Sequence, residues 1–263
     1  MYSPRIKIVN WPKYFFMIKK SIPHIFTSMN LLAGCLAVYF AFTHQFNAAL
    51  LLVLLGVFFD FFDGFFARLL GVESELGIQL DSMADLITSG FAPGALMYQL
   101  FVLSGVKIID YPINVSSDIS LVLSFAPLAL VGFSITLGAA FRLARFNLLE
   151  ESYPYFKGLP APANAILIMG LPFIFQHPSL VVLKDYLMNP VSLMICCLLS
   201  VFLMNIHWKM FSLKANEGMR SFLFPVLLII GATVLFLLYG LVAISGAIIL
   251  YIVLSSIKYI FKI

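Results

Sequence analysis

The sequence predicts an all-α fold: a polytopic bundle of about eight transmembrane helices preceded by an amphipathic juxtamembrane helix. Two observations carry that class. Of 263 residues, 62% are hydrophobic and only 11% charged, against about 25% charged in soluble domains, and the mean hydropathy is +1.04. Apolar runs near the roughly 20 residues needed to cross a bilayer recur at 25–43, 47–70, 83–104, 119–142, 161–177, 187–206, 222–239 and 242–259. Short spacers without repeats join them, so residues 1–263 read as a single membrane-embedded domain with no room for a soluble one.

The first element is the interfacial segment 1–22, which lacks the apolar stretch and cleavage site of a signal peptide. Trp11, Tyr14, Phe15 and Ile18 recur at i, i+3, i+4 and i+7 after Pro12, beside Lys13, Lys19 and Lys20. That pattern suits a helix lying on an anionic leaflet. Between the second and third runs, Gly71, Glu73, Ser74 and Glu75 make a turn. After the fourth run, the Gly- and Pro-rich YFKGLPAP reads as a loop able to close over a site. Cys35, Cys196 and Cys197 fall in apolar runs without metal or disulfide spacing and read as packing residues. His44, His177 and His207 lie near predicted helix ends and read as interfacial.

Orientation follows from the cations. With the N-terminus in the cytoplasm, the inner stretches hold Arg5, Lys7, Lys13, Lys19, Lys20, Arg68, Arg142, Arg145, Lys157, Lys209, Lys214, Arg220, Lys258 and Lys262. Lys107 and Lys184 alone remain outside. The positive-inside rule therefore puts both termini on the cytoplasmic face of a cell (inner) membrane and favours an even number of spans.

Inside this apolar chain lies DxxDGxxAR, followed after eight residues by GxxxDxxxD, placing Asp60, Asp63, Asp81 and Asp85 in or beside membrane runs. Each charge at a helix centre costs roughly 2.5 to 3.5 kcal/mol on insertion scales. At 100° per residue, Asp60, Asp63, Gly64, Ala67 and Arg68 share one helix face, and Gly77, Asp81 and Asp85 form a stripe on the next helix. An antiparallel pair brings the stripes together at its cytoplasmic end. Four converging carboxylates need cations, and an all-oxygen set suits Mg²⁺, Mn²⁺ or Ca²⁺ rather than Zn²⁺. Two divalent ions would balance the four charges and suit a diphosphate substrate. Gly64, Ala67 and Gly77 let helices or a nucleotide approach closely, and the Arg68 fork can meet phosphate oxygens. A cation-coupled transporter is the competing class for such carboxylates.

At these positions the chain resembles the CDP-alcohol phosphotransferase family, whose DGxxAR signature and four spaced aspartates are met without departure. The resemblance implies attack of an alcohol hydroxyl on the lipid-side phosphorus of a CDP-linked lipid, with CMP leaving. It implies that Asp60, Asp63 and Asp81, with Asp85, hold two divalent cations and that Asp85 is the catalytic general base. Ser74 stands where the family has a nucleotide-contacting hydroxyl; a helix N-cap or turn serine is an equal reading and does not exclude that role. In IPHIFTSMN, Pro23, Thr27 and Asn30 match the family's nucleotide pocket, while His24 departs from the commoner Asn. A homodimer is also implied.

Three stretches are similar to the serine-using branch: IPHIFTSMNLLAGCLA, DSMADLITSGFAPGA and FRLARFNLLEESYPYFKGLPAPANA. VFLMNIHWKMFSLK adds a fourth. This likeness implies CDP-diacylglycerol and L-serine as substrates, phosphatidylserine and CMP as products, membrane lipids as surroundings and no nucleic-acid partner. Arg142, Arg145 and Lys157 are then candidates for the acceptor or a lipid phosphate, and Glu150 and Glu151 for the serine ammonium; topogenic charge explains the three cations equally well. Glycerol 3-phosphate or an inositol phosphate is the alternative acceptor.

Overall fold

Helices dominate the computed structural model, which describes residues 13–114, 120–148, 156–210 and 218–261. Helix α1 (Lys13–Phe42) and helix α2 (Phe46–Leu70) form a long antiparallel pair. Phe26 of α1 stacks on Phe66 at 5.2 Å and on Phe62 at 5.9 Å, clamping the end of the pair that carries the aspartates. Each such aromatic pair adds about 0.5 to 1.5 kcal/mol beyond area burial. The surface segment expected over 1–22 is helical from Lys13 and runs unbroken through Pro23 into the first span. Trp11 and Pro12, like Arg5 and Lys7, lie outside the described residues.

The turn after α2 is built as its residues suggest. Gly71 takes a left-handed φ of 61°, which a Cβ would strain, and Val72 donates its N–H to the Ala67 carbonyl at 3.0 Å. Ser74 then caps helix α3 (Glu75–Asp85), accepting the Gly77 N–H at 3.1 Å. Past Asp85 the chain widens into a six-residue π-helix, Leu86–Phe91, and continues as helix α4 (Ala92–Leu103). This run is the centre of the bundle: Leu96, Met97, Leu100 and Phe101 are buried completely or nearly so. A helix apolar all round belongs there.

Where helix was expected from residue 119, the chain instead forms strand β2 (Ser120–Phe125), antiparallel to strand β1 (Ile109–Asn114) with Ile109 opposite Phe125. Pro127 explains the break: the residue before proline avoids the helical region, and Ala126 is extended at φ −100°, ψ 104°. A 3₁₀ segment, Pro127–Phe133, leads into helix α5 (Ser134–Asn147). Small residues let this element approach the central run, since a Cβ on Gly132 would stand 2.7 Å from the Tyr98 nitrogen. Thr136 also donates to the Gly90 carbonyl of the π-helix at 3.1 Å.

Beyond it, the two-residue strand β3 (Phe156–Lys157) precedes helix α6 (Ala161–Met169), helix α7 (Leu171–Gln176), helix α8 (Val181–Leu187) and helix α9 (Pro190–Asn205). Strand β4 (Lys209–Met210) pairs with β3. Helices α10 (Gly218–Tyr239) and α11 (Ala243–Phe261) fold back on each other, Gly231 meeting Leu250 and Gly246 meeting Leu235.

The all-α polytopic class holds, but the expected eight spans are not reached by length and hydropathy. Among the described residues, five helical runs are long and apolar enough to cross a membrane, or six with one bent pair counted as a span. That pair, Ala161–Gln176 and Pro178–Leu187, bends by 93° where Pro178 interrupts it. Helix α9 has only 16 residues, and Phe224–Ile260 counts as one run although it turns back at Gly240. The cysteines are free; Cys197 is buried and Cys35 exposed.

Candidate active site

Three helix segments meet at the aspartates: the middle of α1, the second half of α2, and α3. Asp60 and Asp63 sit one turn apart on α2, as do Asp81 and Asp85 on α3. Carboxylate oxygens of Asp60, Asp63 and Asp81 lie within 4.8 Å of one another. Hard divalent cations bind oxygens at about 2.0 to 2.6 Å, so this spacing fits a shared ion.

Two further features fit the same reading. The Asp60 and Asp81 carboxylates are in hydrogen-bonding contact, which two bare negative charges cannot sustain without a proton or cation between them. Asp81 Oδ1 is buried with no hydrogen-bond partner among the described residues, a costly state for an acceptor unless a ligand satisfies it. The donor set is carboxylate alone, as Mg²⁺, Mn²⁺ and Ca²⁺ prefer.

Helix α1 supplies the supports. Thr27 donates its hydroxyl to Asp63 Oδ2 at 2.7 Å, with the Pro23 carbonyl also in reach at 3.1 Å. Asn30, one turn further in, donates its amide to Asp85 Oδ1 at 3.3 Å. Its own Oδ1 accepts the Thr88 hydroxyl at 2.7 Å. Asn30 and Thr88 have no exposed surface, so Asn30, expected in the nucleotide pocket, spends its amide inside the protein.

The remaining candidates divide by position. Pro23 is buried on α1 beside the site. Gly64 faces open space: a Cβ there would meet nothing nearer than Arg68 Nη2 at 3.9 Å. Arg68 is exposed and among the described residues bonds its own helix, Nε to the Gly64 carbonyl at 3.0 Å. Ser74 caps α3, and a Cβ on Gly77 would stand 3.2 Å from its Oγ. Arg142 is drawn inward, with Asp85 and Tyr251 as electrostatic neighbours and its Nε buried without a hydrogen-bond partner among the described residues. Arg145, one turn on, is exposed. The Lys157 backbone lies opposite Lys209 across the β3–β4 ladder. Glu150, Glu151 and Lys214 fall outside the described residues.

Sequence reasoning missed Thr88 and Tyr251. Thr88 had a signal, because Thr88-Ser89-Gly90 interrupts an apolar run three residues past Asp85, and polar groups in membrane helices face the bundle interior. Tyr251 comes from the last helix, and nothing in its apolar surroundings marks it.

Residues 20–202 match the family described as CDP-alcohol phosphatidyltransferase. The chain is 29% identical over 204 residues to the CDP-diacylglycerol–serine O-phosphatidyltransferase of Bacillus subtilis, covering 76% of this chain and 96% of that protein. It is 32% identical over 161 residues to the Helicobacter pylori protein of that name, covering 60% of this chain and 57% of the relative. Against the one from Mycobacterium leprae it is 31% identical over 161 residues, covering 57% of this chain and 46% of that protein. The chain thus spans about half the length of the last two.

Proposed function

The chain belongs to the CDP-alcohol phosphatidyltransferase family, and from that premise we propose that it transfers the phosphatidyl group of CDP-diacylglycerol to L-serine, giving phosphatidylserine and CMP. The carrying observation is the aspartate constellation: three carboxylates within 4.8 Å, an orphaned Asp81 oxygen, and Asp85 one turn beyond. The acceptor is argued from the relatives, each named for serine.

In this reading, Asp60, Asp63, Asp81 and Asp85 would hold two divalent cations, Mg²⁺, Mn²⁺ or Ca²⁺, which neutralise the diphosphate. Phosphoryl transfer depends mainly on such positioning and charge neutralisation. Pro23, Thr27, Gly64, Arg68 and Ser74 border the diphosphate and cytidine; the open space at Gly64 leaves room for them. The serine hydroxyl oxygen attacks the diacylglycerol-bearing phosphorus, forming the new P–O bond. The bond to the CMP phosphate breaks, its electron pair leaves with CMP, and the hydroxyl proton passes to Asp85. Arg142, an electrostatic neighbour of Asp85 with no hydrogen-bond partner at Nε among the described residues, is suited to the serine carboxylate. Arg145 and Lys157 are assigned to lipid phosphates at the same face. That face is the cytoplasmic one, with Lys19, Lys20, Arg68 and Arg145 at the same helix ends.

The test is purified protein in detergent with CDP-diacylglycerol, Mg²⁺ or Mn²⁺ and a panel of acceptors: L-serine, glycerol 3-phosphate and an inositol phosphate. CMP release with serine alone, abolished by chelation and restored by metal, is expected. Release with a phosphorylated acceptor instead would replace serine. Ion-coupled solute uptake without CMP release would replace the enzyme with a transporter.

A further inference from the structure

We propose that Asn30 and Thr88 are positioning residues that fix the Asp85 carboxylate for proton transfer. The inference rests on the reaction just proposed. Asp85 can only accept hydrogen bonds when ionised, so the Asn30 amide must turn its NH₂ toward Asp85 Oδ1, as it does at 3.3 Å. That choice leaves Asn30 Oδ1 as an acceptor, and the Thr88 hydroxyl fills it at 2.7 Å. The Asn30 backbone carbonyl stands 3.0 Å from the same hydroxyl, so the single Thr88 proton is shared between them, with the shorter contact to Oδ1. At 3.3 Å the link to Asp85 is long for a charged acceptor. It engages Oδ1 alone and so sets the direction in which the carboxylate presents Oδ2.

The frame around this relay is closed. A Cβ on Gly56 would stand 2.6 Å from Thr88 Cγ2 and 2.9 Å from Asn30 Oδ1. One on Gly34 would collide with Thr88 Oγ1 and stand 2.9 Å from the Thr88 Cα and nitrogen. Glycine on α1 and α2 thus admits the π-helix to the distance at which the hydroxyl reaches Asn30. Neither Asn30 nor Thr88 has exposed surface, so their effect on chemistry passes through Asp85. A reacting group held to within a fraction of an ångström is what second-shell packing supplies.

The test separates the hydroxyl from the packing it accompanies. Thr88→Val keeps the shape against Gly56 and removes the donor; Thr88→Ser keeps the donor and removes the methyl. Thr88→Val should lower kcat tenfold or more, with KM for CDP-diacylglycerol and serine within twofold of wild type. Thr88→Ser should stay within twofold in all three. Mn²⁺ affinity, read by electron paramagnetic resonance without substrate, should fall by clearly less than kcat in the valine variant, Asp85 being one of four carboxylates at the metals, and stay within twofold in the serine variant. If the valine variant does not purify as a folded protein, Thr88→Cys, a far weaker donor, takes its place against Thr88→Ser. An unchanged kcat in the valine or cysteine variant overturns the relay. So does a serine variant as impaired as they are, which would make Thr88 a packing residue, or a matching loss of Mn²⁺ affinity, which would place its effect at the metal. No CMP release from wild type would sink the reaction itself, whereas active wild type with an equally active valine variant would sink only the relay.

Discussion

Thr27→Val should weaken divalent-cation binding about tenfold. Thr27 is buried, 6% exposed, and its hydroxyl donates to Asp63 Oδ2 at 2.7 Å. A hydrogen bond to a charged group contributes about 1.5 to 3 kcal/mol, which converts to roughly 10- to 150-fold at about 1.4 kcal/mol per decade. Two features hold the loss to the lower end. Asp63 keeps a backbone hydrogen bond from Gly64, and the single Thr27 proton is shared with the Pro23 carbonyl at 3.1 Å. Valine fills the same volume, so the carboxylate loses orientation rather than packing. Changes to groups that orient metal ligands typically cost about 10- to 100-fold in affinity, in agreement. The assay is Mn²⁺ titration of detergent-solubilised protein by electron paramagnetic resonance, repeated as metal dependence of CMP release. Thr27→Ser should behave as wild type. A Mn²⁺ half-saturation for the valine variant within twofold of wild type would refute the assignment of Asp63 as a ligand oriented by Thr27.

Asp85→Asn should lower turnover about 10²- to 10⁴-fold, the contribution of a positioned base, while CDP-diacylglycerol binding by calorimetry stays within a few-fold. Turnover within tenfold of wild type would remove Asp85 from the proton-transfer role. Gly34→Ala should destabilise the protein by about 1 to 3 kcal/mol, because its Cβ would meet Thr88 backbone atoms at 2.9 Å. A melting temperature in detergent equal to wild type would contradict the close approach of α1 and the π-helix. Gly64→Ala should leave that melting temperature unchanged or raised, since its Cβ meets only Arg68 Nη2 at 3.9 Å, yet raise KM for CDP-diacylglycerol severalfold. An unchanged KM would show that the substrate does not use the space at Gly64.

What could be read from the sequence follows the reach of helical periodicity. Asp60, Asp63, Asp81 and Asp85 are spaced by three and four residues, so their shared faces needed only the geometry of one helix pair and a short turn. Asn30 and Thr88 lie 58 positions apart, and their meeting depends on how two helices are rotated about their axes. In a water-soluble helix the polar face reports that rotation; in a chain that is apolar on nearly every side it is silent. The same silence hid the difference between Arg142, turned toward Asp85, and exposed Arg145. The misread fourth run has another cause. Leu121-Val122-Leu123-Ser124-Phe125 is as apolar as a membrane helix, and only Pro127 hinted that helix had to start later. The π-helix at Leu86–Phe91 leaves no periodic mark at all, yet it carries the hydroxyl that orders Asn30.

The two ends of the site differ in stiffness, and the difference matches what each has to do. Around Asp85 there is no slack: Gly34 and Gly56 admit Thr88 with no room for a methyl group, and Asn30 is fixed from both sides. Around Gly64 there is slack, and Arg68, among the described residues, holds a carbonyl of its own helix from an exposed position. Swinging Arg68 onto a phosphate would give up one exposed hydrogen bond, about 0.5 to 1.5 kcal/mol, in exchange for a charge-assisted pair. In the proposed reaction a lipid-borne diphosphate would enter sideways from the bilayer, and its recognition would need a wall that can yield. The attacking hydroxyl must meet its base at hydrogen-bond distance, where an error of an ångström costs orders of magnitude in rate. Under the proposed reaction, adaptable binding on α2 and a locked base on α3 would follow from where glycine faces open space and where it faces another helix.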